Sequence, residues 1–376
     1  MSIAIYTLTS ELHDERSVEA FTKEFLASLS IKFDYKGSDF TDYGSHSLSL
    51  LYVRTGGTEG IFKRLLPSLL KKSRSPFYLL TSGKSNSLAA SMEILSFLRQ
   101  QGFRGEILHG SAQYIKRRIE ILLKIEQAGK QLQGTRLGVI GKPSDWLISS
   151  EADYNKVRER LGIELIDIPM QELMEAIDDC DIHEGLKKDI AKFQLNGFTL
   201  RCFDLLTSLK STGCLALAKL NSEGYVAGCE GDVPAMISMM IVRSLTGVSG
   251  FQANPARINP ETGELLFAHC TIPLNMVERY ELDTHFESGI GIGVRGYMKE
   301  GPVTLFKVSG DLTRHFVAEG TLIQNTSEPD LCRTQQVIRL KDKSQASYFL
   351  TEPIGNHHIV APGHIGDLLE ELITSR

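Results

Sequence analysis

LSLLYVR (residues 48–54), GGTEG (56–60) and IFKRLLPSLLKK (61–72) follow one another as an apolar run, a small-residue loop and an amphipathic stretch. The order repeats on both sides. IAIYTL (3–8) leads to an amphipathic stretch at 18–29, and FYLLTS (77–82) leads through GKSNS (83–87) to LAASMEILSFLRQQG (88–102). There Leu88, Met92, Leu95 and Leu98 fall on one predicted helical face. Gly105 begins a further strand before a helix at 114–128. Strand, loop and helix repeated at this spacing predict a parallel sheet with crossover helices.

Working outward, the chain turns polar between Gly129 and Gly134, and a second series begins with LGVIG (137–141), a helix at 151–161 and IELIDIP (163–169). From Phe251 the character changes to short alternating segments separated by turn residues: GELLFAHCTIP (263–273), SGIGIGVRGYM (288–298), PVTLFKVSG (302–310), EGTLIQNT (319–326), QQVIRLK (335–341) and ASYFLTE (346–352). Such alternation predicts antiparallel β structure closing into a small barrel or sandwich. The predicted organisation is an α/β domain over 1–130, a second α/β domain over 131–250 and a β-rich domain over 251–376 with a closing helix at 365–373.

Composition narrows the function. The 376 residues carry 46 acids against 41 bases, net −5, with no basic stripe, so no electrostatic footprint for nucleic acid is present. No apolar run reaches membrane-spanning length, because Arg243 interrupts the most apolar stretch, 235–245. MSIAIYTLTSELHDE reads as a first strand and not as a signal peptide. Six cysteines without CxxC spacing suit reduced thiols and a cytoplasmic setting. The Gly-Lys-Ser at 83–85 is no phosphate loop, since Tyr78 stands where that loop needs its first glycine. Ser82, Ser85 and Asn86 are still placed to meet a ligand hydroxyl at the carboxyl end of a parallel strand. GIGIG (289–293) alternates like a strand and opens no helix, so it is no dinucleotide fingerprint.

Three features carry chemistry. Glu230 lies at a loop tip between Cys229 and Gly231, followed by Asp232, a natural N-cap for the next helix. His269 stands alone in an apolar strand, where a plain core histidine is the competing reading. His357 and His358 adjoin, so in a strand they point to opposite faces and only one can reach a shared site. A carboxylate and two imidazoles form an ordinary set for a divalent metal.

These segments resemble the L-fucose/L-arabinose isomerase superfamily, in particular its fucose-isomerase-like members. The resemblance runs from Arg201 to Gly363: RCFDLL, LALAKLNSEGYVAGCEGDVPAM, FQANP, AHCTIP, HFESGIGIGVRG and GNHHIV. It implies two Rossmann-like α/β domains followed by an antiparallel barrel domain, and a metal-dependent aldose–ketose isomerisation of an open-chain monosaccharide through an ene-diol. It further implies Glu230, His269 and His358 as metal ligands, Mn2+ as the expected ion, and Glu230 as catalytic base. Where the family carries a second carboxylate this chain reads FQANP (251–255), so Asn254 is the expected fourth ligand and Asp232 the reserve acid–base group. His285, Arg333, Ser85 and Asn86 are the expected contacts to substrate hydroxyls. A homotrimer or homohexamer is expected, because the resemblance implies sites covered by a neighbouring subunit. The competing readings are a non-catalytic sugar-binding or regulatory protein and a hydrolase or epimerase on the same scaffold.

Overall fold

The structure is a computed structural model that describes residues 2–73, 76–178 and 180–375. It divides into two compact units, Met1–Gln127 and Ala128–Arg376. In the first, β1 (Ile3–Leu8), β2 (Asp34–Gly37), β3 (Leu48–Val53), β4 (Phe77–Leu80) and β5 (Gly105–Leu108) form a parallel sheet in the order β2-β1-β3-β4-β5. Successive side chains of a strand leave opposite faces, and both faces of this sheet are covered. Tyr6 and Leu8 therefore join Phe62 and Phe77 in one core, while Ile3 and Ile5 join Tyr52 and Ile115 in another. The helix Ser87–Gln100 buries Ala90, Ile94 and Leu98, leaving Met92 60% exposed. Its apolar face is thus rotated from the one the sequence predicts, because the small Ser87, Ala90 and Ser91 lie on the sheet side.

The second unit opens with a parallel sheet of β6 (Arg136–Ile140), β7 (Glu164–Ile168), β8 (Gly197–Leu200) and β9 (Val226–Cys229), ordered β7-β6-β8-β9. Beyond β9 a three-residue turn, 230–232, enters the helix Val233–Thr246, which carries Pro234 in its first turn and ends at Gly247 in a left-handed conformation. This helix is buried along most of its length and packs on β8 and β9.

The chain then builds β10 (Phe251–Asn259), β11 (Glu264–His269), a separate hairpin of β12 (Arg279–Asp283) and β13 (Gly293–Tyr297), then β14 (Gly301–Val308), β15 (His315–Thr326), β16 (Thr334–Leu340) and β17 (His358–Pro362). Six of these close an antiparallel barrel in the order β10-β11-β16-β15-β14-β17. Closure leaves no free edge. Phe251, Ala253, Leu265, Phe267, Leu305, Ala318, Ile338 and Val360 belong to its core. The α/β class with parallel sheets and a terminal antiparallel barrel is therefore the architecture observed. ASYFLTE does not form a strand as predicted: a 3-10 turn and a short helix, Tyr348–Thr351, occupy it, with Asp342 capping the turn. The ranges 131–250 and 251–376 both lie in the second unit, where the helix Val233–Thr246 also touches β14 and β17. Among the described residues no helix is long and apolar enough to cross a membrane.

Candidate metal centre

The carboxyl end of β9 faces the rim of the barrel, and the turn between them carries the charge. Glu230 adopts a left-handed conformation with φ 64°, which favours glycine, and Gly231 follows at 72°. A Cβ on Gly231 would come within 2.3 Å of the Lys142 carbonyl oxygen, so only glycine fits there. Gln252 on β10 fixes the approach to this turn. Its Oε1 accepts from Cys229 N–H at 2.9 Å and its Nε2 donates to Cys229 O at 3.2 Å, as a neighbouring strand would.

Glu230 Oε1 then lies 3.6 Å from Nε2 of His269, at the end of β11, and 3.5 Å from Nε2 of His357, just before β17. One ligand atom from each of these three residues falls within 4.8 Å of the others, the one such group among the described residues. Each imidazole is oriented from behind. Thr271 Oγ1 meets His269 Nδ1 at 3.0 Å, and Asp232 Oδ2 meets His357 Nδ1 at 2.9 Å. A carboxylate only accepts, so Nδ1 of His357 is the donor, and Nε2 is directed at Glu230.

Asp232 is fully buried and holds three partners. It caps the helix through Ala235 N–H at 2.8 Å, binds His357, and lies 3.3 Å from Nζ of Lys307 with each oxygen. Lys307 continues the interior row of Val303 and Leu305 on β14 and is 1% exposed. Burial pushes its ammonium down, while Asp232 pulls against that. Burial acts to raise the carboxyls of Glu230 and Asp232, but the facing groups outweigh it: His357 and the hydrogen-bonding His269 for Glu230, Lys307 and His357 for Asp232. Both stay ionised. Burial lowers His357, yet Glu230 and Asp232 together lift it to about 9. His269 is lowered by burial, partly offset by Glu230.

The donor set fits a divalent cation. His357 Nε2 is buried without a hydrogen-bond partner and faces an ionised carboxylate that has no proton to give. A cation, whether a proton or a metal ion, would complete that contact. Asn254 adds a buried Oδ1 that also lacks a partner, one residue beyond the Ala253–His358 pair of β10 and β17.

The predicted trio of Glu230, His269 and His358 is corrected at one member. His358 pairs with the core residue Ala253, and so turns into the barrel among Phe267, Phe316 and Phe349. Its Nε2 meets the Tyr348 hydroxyl at 3.0 Å and its Nδ1 the Asn356 carbonyl at 3.1 Å. Burial and then Lys307 push it down to about 3, so it is a neutral core histidine.

His285 is 7% exposed, and burial followed by the nearby His269 lowers it. Arg333 donates to the Thr284 carbonyl at 2.6 Å and its hydroxyl at 3.1 Å, bracing the loop that carries His285. Ser85 and Asn86 belong to the first unit, both left-handed at φ 53° and 56°, and Asn86 gives the following helix no side-chain cap. Sequence reasoning passed over Trp146, Gln252, Thr271 and Lys307. Of these only Lys307, a lone cation inside VTLFKVSG, carried a visible signal.

A carboxylate and two back-braced imidazoles at a barrel rim form a class of centre with the donor set and spacing to hold a divalent ion. No protein-family model matches the chain. Over 282 residues it is 23% identical to the sulfoquinovose isomerase of Priestia aryabhattai, covering 65% of this chain and 63% of that protein. The sulfoquinovose isomerase of Priestia megaterium matches with the same figures. A shorter match, 27% over 113 residues, joins 30% of this chain to 24% of the sulfoquinovose isomerase of a Clostridium species. The chain thus spans 63% of the length of the two Priestia relatives.

Proposed function

We propose that this chain is a metal-dependent aldose–ketose isomerase acting on an open-chain sugar, with sulfoquinovose the first substrate to test. The observation that carries the reading is the convergence of Glu230, His269 and His357 within 4.8 Å, each imidazole held by a partner at its other nitrogen. The relatives' shared name supports the substrate class.

A divalent ion, Mn2+ in this proposal, would be held by Glu230, His269 and His357 with Asn254 as a further oxygen donor, and would polarise the sugar carbonyl as a Lewis acid. The remaining work falls to the side chains. Glu230 stays ionised and is the base that moves a proton between C1 and C2, a contribution of ~10²–10⁴-fold for a positioned carboxylate. Asp232, fully buried and engaged with three partners, does not reach a substrate. It acts by holding His357, which replaces the acid–base role expected of it. His285 is a candidate for a substrate hydroxyl, while Arg333 serves the loop beside it. A homotrimer or homohexamer in the cytoplasm belongs to the same proposal, and light scattering reads the assembly.

The deciding experiment runs sulfoquinovose, L-fucose and L-arabinose with Mn2+ in deuterated water and follows label at C2. Saturable incorporation, lost in Glu230→Gln, is the expected result. Sugar binding without incorporation by any of the three would leave the non-catalytic sugar-binding reading in its place.

A further inference from the structure

We infer that Trp146 is the residue against which the substrate rests: its indole N–H aims the carboxylate of Glu230, and its open ring face receives the C–H face of the sugar. The inference builds on the proposed isomerase reading and concerns a residue which that reading does not use.

Three observations converge on it. First, Nε1 of Trp146 donates to Oε2 of Glu230 at 2.8 Å, leaving Oε1 to face the two imidazoles. The two oxygens are thereby divided, one for the indole and one for the centre. Secondly, the residue is 52% exposed although its polar edge is engaged. Thirdly, the loop that carries it is clamped to the turn it serves. Ser144 N–H donates to the Glu230 carbonyl at 2.9 Å, and Arg201 donates to the Pro143 carbonyl at 2.7 Å while pairing with Asp145 at 2.9 Å. An indole fixed from both sides is a wall and not a wandering side chain.

The wall continues. Trp146 meets Phe203 edge-on with centroids 4.8 Å apart, and Phe203 meets His285 edge-on at 5.8 Å. An aromatic rim therefore runs from the carboxylate to the imidazole already considered for a hydroxyl. A sugar presents hydroxyls along its edges and C–H groups on its faces. Covering a C–H face with an indole removes apolar surface from water on both partners, while the hydroxyls stay free for Glu230 and His285. A hydrogen bond to a charged group also fixes direction more firmly than a neutral one.

Trp146 is the sole tryptophan of the chain, so emission excited at the red edge, beyond tyrosine absorption, reads this residue and no other. The test titrates Mn2+ and then each of sulfoquinovose, L-fucose and L-arabinose against wild type, and measures kcat and KM for wild type, Trp146→Phe and Trp146→Leu. We expect emission to shift saturably with the sugar that turns over. Trp146→Phe keeps a ring and loses the donor, so kcat should fall ~10-fold with KM within ~2-fold. Trp146→Leu loses both, and KM should rise by a further ~5-fold or more. Turnover with unmoved emission, or with both variants kinetically silent, overturns the inference and leaves the isomerase reading intact. A saturable emission shift without turnover of any sugar removes the isomerase reading and keeps the platform. Neither turnover nor emission change overturns both.

Discussion

Two loops at the carboxyl ends of parallel strands invite comparison: residues 81–86 after β4 in the first unit, and residues 230–232 after β9 in the second. Both leave a buried strand, both hold non-glycine backbone in the left-handed region, and both lead directly into a helix. Their fates differ. Gly83 to Asn86 are exposed, and Asn86 makes no cap bond, whereas Asp232 is fully buried with every oxygen engaged. The local chemistry of strand, turn and helix is common to both. What turns one of them into a charged centre is the barrel rim that supplies two imidazoles, an ammonium and an amide from strands distant in sequence.

The comparison breaks most forcefully at Asp232. Asp232→Asn keeps a residue that caps a helix as well as aspartate does, but it strands Lys307 as a buried cation. Denaturant unfolding should show a loss of ~3–5 kcal/mol. Adding Lys307→Met should restore more than half of it, because an apolar side chain of similar length suits the barrel interior. The equivalent change in the first unit, Ser85→Ala, should leave stability within ~0.5 kcal/mol.

Next in size is the metal. Removing a ligand should cost at least as much as removing its outer partner, ~10–100-fold in affinity. Calorimetric titration with Mn2+ should therefore show His357→Ala weakened ~100-fold or more, and the thermal stabilisation by Mn2+ lost with it. His358→Ala should bind Mn2+ within a few-fold of wild type while losing ~2–4 kcal/mol of stability, since it empties space among aromatic rings. If the two histidines exchange these behaviours, the strand phase assigned to β17 is wrong.

A buried carboxylate elsewhere in the second unit sharpens what the rim contributes. Asp189 is 2% exposed, its Oδ2 has no partner, and burial, aided by Glu172, raises it to about 6. A folded-state pKa above the unfolded one makes stability fall as pH rises from about 4 to about 6, with the full penalty present above that. Asp189→Asn should therefore stabilise the protein by ~1–3 kcal/mol at pH 7.5, and melting curves should converge below about pH 4. Asp232 has the opposite sign, its folded pKa being depressed, and so contributes stability that disappears only as acid protonates it.

The smallest effect belongs to the exposed loop. Asn86 pays the left-handed conformation at φ 56° without a compensating bond, so Asn86→Gly should raise stability by up to ~1 kcal/mol and leave Mn2+ affinity unchanged.

These contrasts also mark where reading the sequence stops. LSLLYVR and its repeats disclose the parallel sheets because buried strands and crossover helices have distinct periods. Glu230 was visible through its flanking glycines, and the cap through Asp232 and Pro234. The histidine choice was not. Adjacent residues of a strand face opposite ways, and which of His357 and His358 turns outward depends on how Ala253 and Leu305 set the barrel register. Nor does Trp146 lie in any periodic segment: it reaches Glu230 across 84 residues of chain through a loop held by Arg201. ASYFLTE alternates as a strand does, yet Asp342 and the close ring stack of Tyr348 on Phe316, 3.7 Å apart, favour a turn and a helix there.

The amide of Gln252, stitched to both polar groups of Cys229, has a consequence for time as well as for place. The Cys229 N–H is reached by no water unless the last strand of the sheet parts from the barrel, and β9 and β10 both lie inside the same compact unit. Exchange of that one hydrogen with solvent then has no shallow route and runs on the clock of the rarest openings. The turn that follows, with its ionised glutamate in a left-handed conformation, is anchored to β10 through those two hydrogen bonds.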